Sequence, residues 1–266
     1  MKNIVIILMA AALFAGCDIN INIHPDLDKD NGPAVSRTFP LADSYRILEV
    51  SHAFDVTMCD TVSVPVVTLD SSLFDNLVFS VENRTLKIGF KPGSYNNIQV
   101  AHVLLPYNEQ LRKVELSGAS HFTSNHPLGN DLAKLELSGA SAFNGDLAAG
   151  KVEIELCGAS EYSGSLNAGN VDLDFSGAST ATITGTCSNM LEIDLSGASH
   201  LDARDLDAVH VKGELSGASS ANVLCCESLR MDLGGASHLT YATIADGCEP
   251  DVNCSTSGGS TVRSRY

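Results

Sequence analysis

The chain has 266 residues, and 32 acidic residues against 16 lysines and arginines give a formal net charge of −16. This charge argues against nucleic-acid binding, because phosphates need a basic footprint, and against electrostatic docking on anionic lipid. The sequence has no tryptophan, which weakens a glycan-binding function without excluding it.

The N-terminus predicts a lipoprotein signal peptide over residues 1–16. An apolar run from Ile4 to Phe14 is too short to span a bilayer and suits the core of a signal peptide. The small residues before Cys17 resemble a bacterial lipobox, which implies cleavage before Cys17 and its acylation; the alternative is a chance cysteine behind an ordinary signal peptide. Several acyl chains would hold the mature protein on a membrane. Residues 17–36 then predict a flexible tether.

Residues 37–110 have the texture of β-strands but lack the repeat that follows them. Alternating apolar runs such as Arg46–Val50 and Phe54–Met58 come before a turn signal at Asn83-Arg84. Because the end of a solenoid exposes core and strand edges, we expect this portion to be an atypical cap within the same domain.

From residue 111 to 266 the motif Leu-Ser-Gly-Ala-Ser recurs, with substitutions, at intervals of 18 to 23 residues. Its central glycines are Gly118, Gly139, Gly158, Gly177, Gly197, Gly217, Gly235 and, in a weaker copy, Gly258. Such a period is typical of solenoids, in which each repeat buries its apolar face against its neighbours.

The residues around each glycine indicate short strands. Val152, Ile154 and Leu156 alternate with acidic residues before one copy, which is the pattern of a strand with one buried face. A second inward-pointing residue follows each motif, and no apolar pattern has helical spacing. The sequence therefore predicts an all-β fold, a parallel, right-handed β-helix of about 20 residues per coil, in which equivalent residues stack in columns about 4.8 Å apart.

The small residues of the motif have a structural explanation. Serine and alanine let a corner pack tightly, and serine hydroxyls can bond to one another or to the backbone. A serine beside glycine indicates no catalysis without a base. His121, His200 and His238 share a column but fall on separate coils, so we expect them at the surface and not around one metal ion.

An acidic residue stands three positions before each of the first seven motif glycines. The position five residues before the glycine is a lysine or arginine on the outer coils but an acid on the three central coils, which predicts an acidic patch without a local cation there: Glu153, Glu155, Asp172, Asp174, Glu192 and Asp194. Two interpretations remain open. The patch is a solvated face, or it binds Ca²⁺ weakly or another cationic ligand; no other cofactor is predicted.

The chain has eight cysteines, and none forms a pair with zinc spacing. Cys225 and Cys248 each stand ten residues before a motif glycine. On successive coils they would lie within disulfide range, so they are a candidate disulfide; buried free thiols are the alternative.

Four features together resemble the GIN-domain adhesins of Bacteroidetes-type lipoproteins. They are Phe54–Met58, Leu86–Ile88, the serial Ser-Gly-Ala-Ser copies and Ser257–Ser260, and the resemblance covers about residues 37–264. It implies an all-β fold and an adhesive or surface role, and it brings no catalytic residues.

The sequence thus favours a non-catalytic binding or adhesion module in the cell envelope. We expect an outer-membrane-anchored lipoprotein, periplasmic or surface-exposed, whose ligand is an unknown protein or glycan. The alternatives are a polysaccharide-active β-helix enzyme and a structural or signalling envelope protein that binds another protein. An exposed lysine or arginine beside three or more carboxylates in a groove would favour the enzyme.

Overall fold

The computed structural model describes residues 31–93, 95, 97–243 and 249–265, and the chain from Asn31 onward forms one compact unit. A 3-10 helix spans Ser71–Asn76. The strands of the described residues are β1 (Ala34–Thr38), β2 (Ile47–Val50), β3 (Asp55–Cys59), β4 (Val66–Asp70), β5 (Leu77–Glu82), β6 (Thr85–Phe90), β7 (Ala101–Pro106), β8 (Lys113–Leu116), β9 (His121–Ser124), β10 (Leu132–Leu137), β11 (Ala142–Asn144), β12 (Leu147–Leu156), β13 (Glu161–Phe175), β14 (Thr180–Leu195), β15 (His200–Leu215), β16 (Ser220–Leu233), β17 (His238–Thr243), β18 (Asp251–Thr256) and β19 (Thr261–Ser264).

Each coil has a strand that leads into the motif and a strand that leaves it. The end of β13 leads into one corner and β14 leaves it, and both pair in parallel with the equivalent strands of the neighbouring coils. Asp174, for example, lies between Glu155 and Asp194. The predicted parallel β-helix, with about 20 residues per coil, is confirmed.

The motif forms a sharp corner that repeats from coil to coil. Its central glycine has a left-handed φ, +75° at Gly177, and the following alanine donates its N–H to the glycine carbonyl of the preceding coil, at 2.7 Å from Ala178 to Gly158. A Cβ at Gly177 would lie 2.5 Å from that carbonyl oxygen. Only glycine meets both conditions without strain.

The interior is filled by columns of apolar side chains. The strand before the corner contributes residues such as Val171, Leu173 and Phe175, each no more than 2% exposed. The strand after it contributes an aromatic ladder in which the rings of Phe122 and Phe143 stack with centroids 5.1 Å apart. These columns bury the apolar alternation of the sequence.

The N-terminal portion adds coils and a cap to the same solenoid. Strands β2 and β3 pair in parallel with β8 and β9 on one side and with β6 and β7 on the other. Antiparallel strands β4 and β5 then lie against β7 and β6. The coil geometry therefore begins at Ile47, earlier than the repeated motif in the sequence.

The corner geometry predicts that Gly177→Ala destabilises the solenoid strongly. The added methyl group would have to displace the Gly158 carbonyl in a backbone conformation that non-glycine residues avoid, so we expect the free energy of unfolding to fall by about 2 kcal/mol or more. Urea unfolding measures this loss. Gly234→Ala is the control, since its nearest neighbour, Ser257 Oγ, lies 3.6 Å away; equal losses in both variants would contradict the corner's role.

Candidate functional site

The strands that lead into the corners present a face of carboxylates to solvent, here called the acidic face. Strand register places the acids before the motif in one column across successive coils: Glu115, Glu136, Glu155, Asp174, Asp194, Glu214 and Asp232. Because adjacent strands lie about 4.8 Å apart, each carboxylate before Asp232 has a like charge on either side, and Asp232 has one on one side.

Lysines neutralise part of the predicted six-residue patch, so its description as lacking a local cation is wrong. Lys151 contacts Glu153 and Asp172, each at 2.7 Å. Lys134 contacts Glu155 at 2.7 Å. Sequence reasoning compared two columns only, whereas Lys151 lies in a third column that borders them.

The next coil supplies another cation, since Lys212 contacts Glu192 at 2.8 Å. Of the six acids, Asp174 and Asp194 have no ion pair with the described residues. Burial raises the pKa of Asp194 above its usual value and the neighbouring carboxylates add to this rise, while a hydrogen bond from the main-chain N–H of Glu214 partly opposes it. Cation binding at these two residues therefore stays a prediction.

Three cavities follow one another along the acidic face. The first, of about 450 Å³, has Val78 and Phe90 in its wall and extends to Glu155. The second, of about 310 Å³, begins at Glu155 and shares Asp174 and Asp194 with the third. The third, of about 550 Å³, continues to Asp232. Shared lining residues make the row continuous across the coils.

The third cavity also contains positive charge and hydroxyl groups. Lys212 and Arg230 line it together with Ser196 and Ser216. Gly213 also lines this cavity. It occupies an inward-facing position at which the two neighbouring coils have Ile193 and Met231. The surface therefore offers carboxylate acceptors and cationic donors within one depression.

The last serine of each of the first seven motifs is structural, as predicted. These serines are buried, and the hydroxyl of Ser199 donates to the carbonyl oxygen of Ser196 at 2.8 Å, within its own corner. Equivalent bonds recur at Ser120 and Ser141. A hydroxyl committed to the backbone, with no base beside it, is not an activated nucleophile.

The three histidines of the predicted column lie on separate coils. Nδ1 of His200 hydrogen-bonds the Ser220 hydroxyl at 2.7 Å, and Nδ1 of His238 bonds the Thr261 hydroxyl at 2.8 Å. His121 lies beside Asp55. Within the described ranges, no group of three or more histidine, cysteine, aspartate or glutamate residues is arranged to hold a metal ion.

The structure corrects the candidate disulfide. Cys225 is a free, buried thiol that donates to the Ser228 carbonyl oxygen at 3.1 Å, and Cys226 is the disulfide-bonded residue. Alternation along β16 turns Cys225 inward, and its register neighbour is Thr243. The expected column of Cys225 and Cys248 assumed coils of equal length, ten residues before each glycine, but the last coil has additional residues between β17 and β18. Cys248 itself lies outside the described residues.

Sequence reasoning missed the first corner of the solenoid, at Ser51-His52-Ala53. His52 has a φ of +75°, and its carbonyl accepts the N–H of Ala119 at 2.5 Å, as the motif glycines do for later coils. Leu48 and Val50 lead into it with the expected alternation. Ser51 and Ala53 have the same spacing as the serine and alanine of the Ser-Gly-Ala motif. The sequence pattern was not recognised because histidine stands in the place of the glycine.

The predicted lipidation site, Cys17, and most of the tether lie outside the described residues. Among the residues that are described, no helix combines the length and apolar character needed to cross a membrane.

The sequence matches the model of a known protein family over most of its length. Residues 44–243 match a family model described as "Putative auto-transporter adhesin, head GIN domain". No curated protein matches the sequence.

Several solved structures share the fold. An adhesin-titled structure from Parabacteroides merdae has a TM-score of 0.81 at 18% identity, covering 90% of this chain and 99% of its own. Another, from Parabacteroides distasonis, has a TM-score of 0.79 at 21% identity, with coverages of 89% and 99%. A third structure, from the same species and titled a putative lipid binding protein, has a TM-score of 0.76 at 18% identity, with coverages of 89% and 98%.

The cysteine geometry predicts which residue forms the disulfide. Peptide mapping of the unreduced protein should show the cross-link lost in Cys226→Ser and kept in Cys225→Ser, because burial raises the pKa of the Cys225 thiol and keeps it protonated. Alkylation of Cys226 in the unreduced wild-type protein would contradict this assignment.

The charges predict opposite effects for two substitutions on the acidic face. Ionised Asp194 is repelled by its neighbours, so Asp194→Asn should raise the free energy of unfolding near neutral pH by roughly 0.5 kcal/mol or less. A hydrogen bond from Lys151 lowers the pKa of Glu153, which means that ionised Glu153 stabilises the fold. Glu153→Gln should therefore lower the free energy of unfolding. Urea unfolding measures both.

Both differences should shrink at about pH 3. The raised pKa of Asp194 means that wild-type protein takes up a proton there as the pH falls and loses the repulsion. Glu153 stabilises above its unfolded-state pKa and loses that contribution as the pH falls through its folded-state pKa. Destabilisation by Asp194→Asn near neutral pH would refute the repulsion.

Proposed function

Because the chain belongs to the family described as "Putative auto-transporter adhesin, head GIN domain", we propose that it is a non-catalytic binding module of the bacterial cell envelope that acts in adhesion. The family and the structures of similar fold are named for adhesion or binding and not for a reaction. The ligand is a protein or glycan outside the cell or within the envelope.

The proposed anchor is the acylated Cys17 at the start of the mature chain. The lipobox-like sequence supports it, together with an apolar run of signal-peptide length. Multiple acyl chains give stable membrane attachment, so the module would stay on the outer membrane, either in the periplasm or at the surface. The tether up to residue 36 would let the solenoid reach a ligand.

The acidic face, with its row of cavities, is the proposed binding surface. The single observation that carries this assignment is that all three cavities lie on one face and share lining residues. The lining residues are held by strands, which position side chains more rigidly than loops do. An open row that crosses many strands suits an extended ligand with cationic or hydroxyl groups.

A polysaccharide-active enzyme is the second candidate, and one observation favours it. Lys212 and Arg230 lie with several carboxylates in the third cavity, the arrangement named above as typical of such an enzyme. The hydrogen bond to Glu192 raises the pKa of Lys212, whereas a general base needs a lowered one. Adhesion therefore remains the better-supported function.

Cell attachment tests the binding surface. Bacteria that display the full chain are applied to immobilised glycans and matrix proteins, and attachment is compared with that of Asp174→Lys/Asp194→Lys cells. We expect wild-type cells to attach to at least one of these surfaces. The number of attached cells should fall about tenfold with the double variant, because it reverses the charge in the shared part of the cavities.

The matched control is Glu161→Lys/Asp207→Lys, which changes charge equally on strands that leave the corners. Attachment that is unaffected by the first pair, or reduced equally by both, would contradict the acidic face as the binding surface. Release of reducing ends from a polysaccharide by wild-type protein, lost with Lys212→Met, would favour the enzyme instead.

A further inference from the structure

Strand β5 has an open edge that lacks the usual protection. Among the described strands it pairs with β6 alone, and residues Leu77–Val81 are each half-buried. Its sequence, Leu-Val-Phe-Ser-Val-Glu, has high β-propensity, no proline or lysine, and one charge at its end. Natural proteins protect exposed edges with charges, prolines or bulges. By contrast, β1 carries Arg37 and is almost wholly exposed.

Hydrogen-bond accounting identifies the backbone groups on this edge. Asn83 and Arg84 both have positive φ and form a two-residue hairpin turn, so Glu82 and Thr85 make the first hydrogen-bonded pair. Alternation in an antiparallel ladder then directs Ser80 and Val78 towards β6. The N–H and C=O groups of Phe79 and Val81 point away from it, towards the open edge.

From this edge we infer that two copies of the chain associate through β5, antiparallel, about a two-fold axis at Ser80. Phe79 then faces Val81 of the partner subunit, and Val81 faces the partner's Phe79. Each of these pairs exchanges two main-chain hydrogen bonds. The open backbone groups of both residues are satisfied, and the interface is self-complementary, as a two-fold contact requires.

Charge favours this contact over other self-associations. A net charge of −16 makes two copies repel, so a stable contact needs a part of the surface that is poor in charge. In the inferred register Glu82 lies opposite Val78 of the partner subunit, so the two glutamates do not meet. The two hydrogen-bonded pairs each join aromatic Phe79 to β-branched Val81, and Ser80 at the axis is uncharged.

The contact would also extend the acidic face. A two-fold axis perpendicular to a continuous sheet keeps the outer faces of both copies on the same side. Val78 lines the first cavity, so Glu82 of the partner subunit would lie at its wall. The inference rests on the β5 edge and holds whether or not the cavities bind a ligand.

The association is tested by sedimentation of the full chain in density-matched detergent. We expect a dimer for wild type, and a dissociation constant at least about tenfold weaker for Ser80→Lys, which places two ammonium groups at the axis. Ser36→Lys is the control, since it adds the same charge on another edge strand, β1, and should remain dimeric.

A second variant keeps the test decisive if Ser80→Lys disturbs folding. Ser80 faces Ser80 of the partner subunit in a pair without hydrogen bonds, where Cβ atoms are closest, so Ser80→Cys should form a reducible covalent dimer that wild type lacks. A monomer at every concentration, whether β5 is free or covered by the chain's own N-terminal residues, would overturn the inference. So would dimerisation that persists undiminished in Ser80→Lys without cross-linking in Ser80→Cys.

Discussion

The structure depends on one contact, the hydrogen bond from the corner alanine to the glycine carbonyl of the preceding coil. At Ala178 this N–H···O distance is 2.7 Å, and the same distance recurs at Ala198 and Ala218. The contact requires a left-handed residue without a Cβ in nearly every coil, which explains why the motif is repeated so closely. Once the corners stack, the strands on either side must also align.

Alignment has consequences for the outer surface. A position that is acidic in every repeat becomes a column of like charges, and such a column is tolerated where lysines of adjacent coils contact it, as Lys113 does at Glu136 and Lys134 at Glu155. Where that compensation ends, at Asp174 and Asp194, the cavities of the acidic face meet. The same regularity that builds the core therefore also builds the proposed binding surface.

The sequence predicts much of this fold because its determinants are local. Alternation before Gly177 specifies an inward row, and a period near 20 specifies stacking. Three features were missed. His52 replaces the corner glycine, so a search for the glycine motif misses this corner, and Cys226 rather than Cys225 is bridged, since Cys225 is a buried free thiol that points inward. The Lys151 contacts were missed because the third column, seven residues before the motif glycine, was not compared with the other two.

Hydrogen exchange at the corner alanines tests the stacked corners most directly. If the corner hydrogen bonds hold the coils together, the amides of Ala178 and Ala198 should exchange among the slowest in the protein, at a rate set by global unfolding. Exchange as fast as that of a solvent-exposed turn, while the flanking strands stay protected, would show that the corners are loops and that the solenoid does not depend on them.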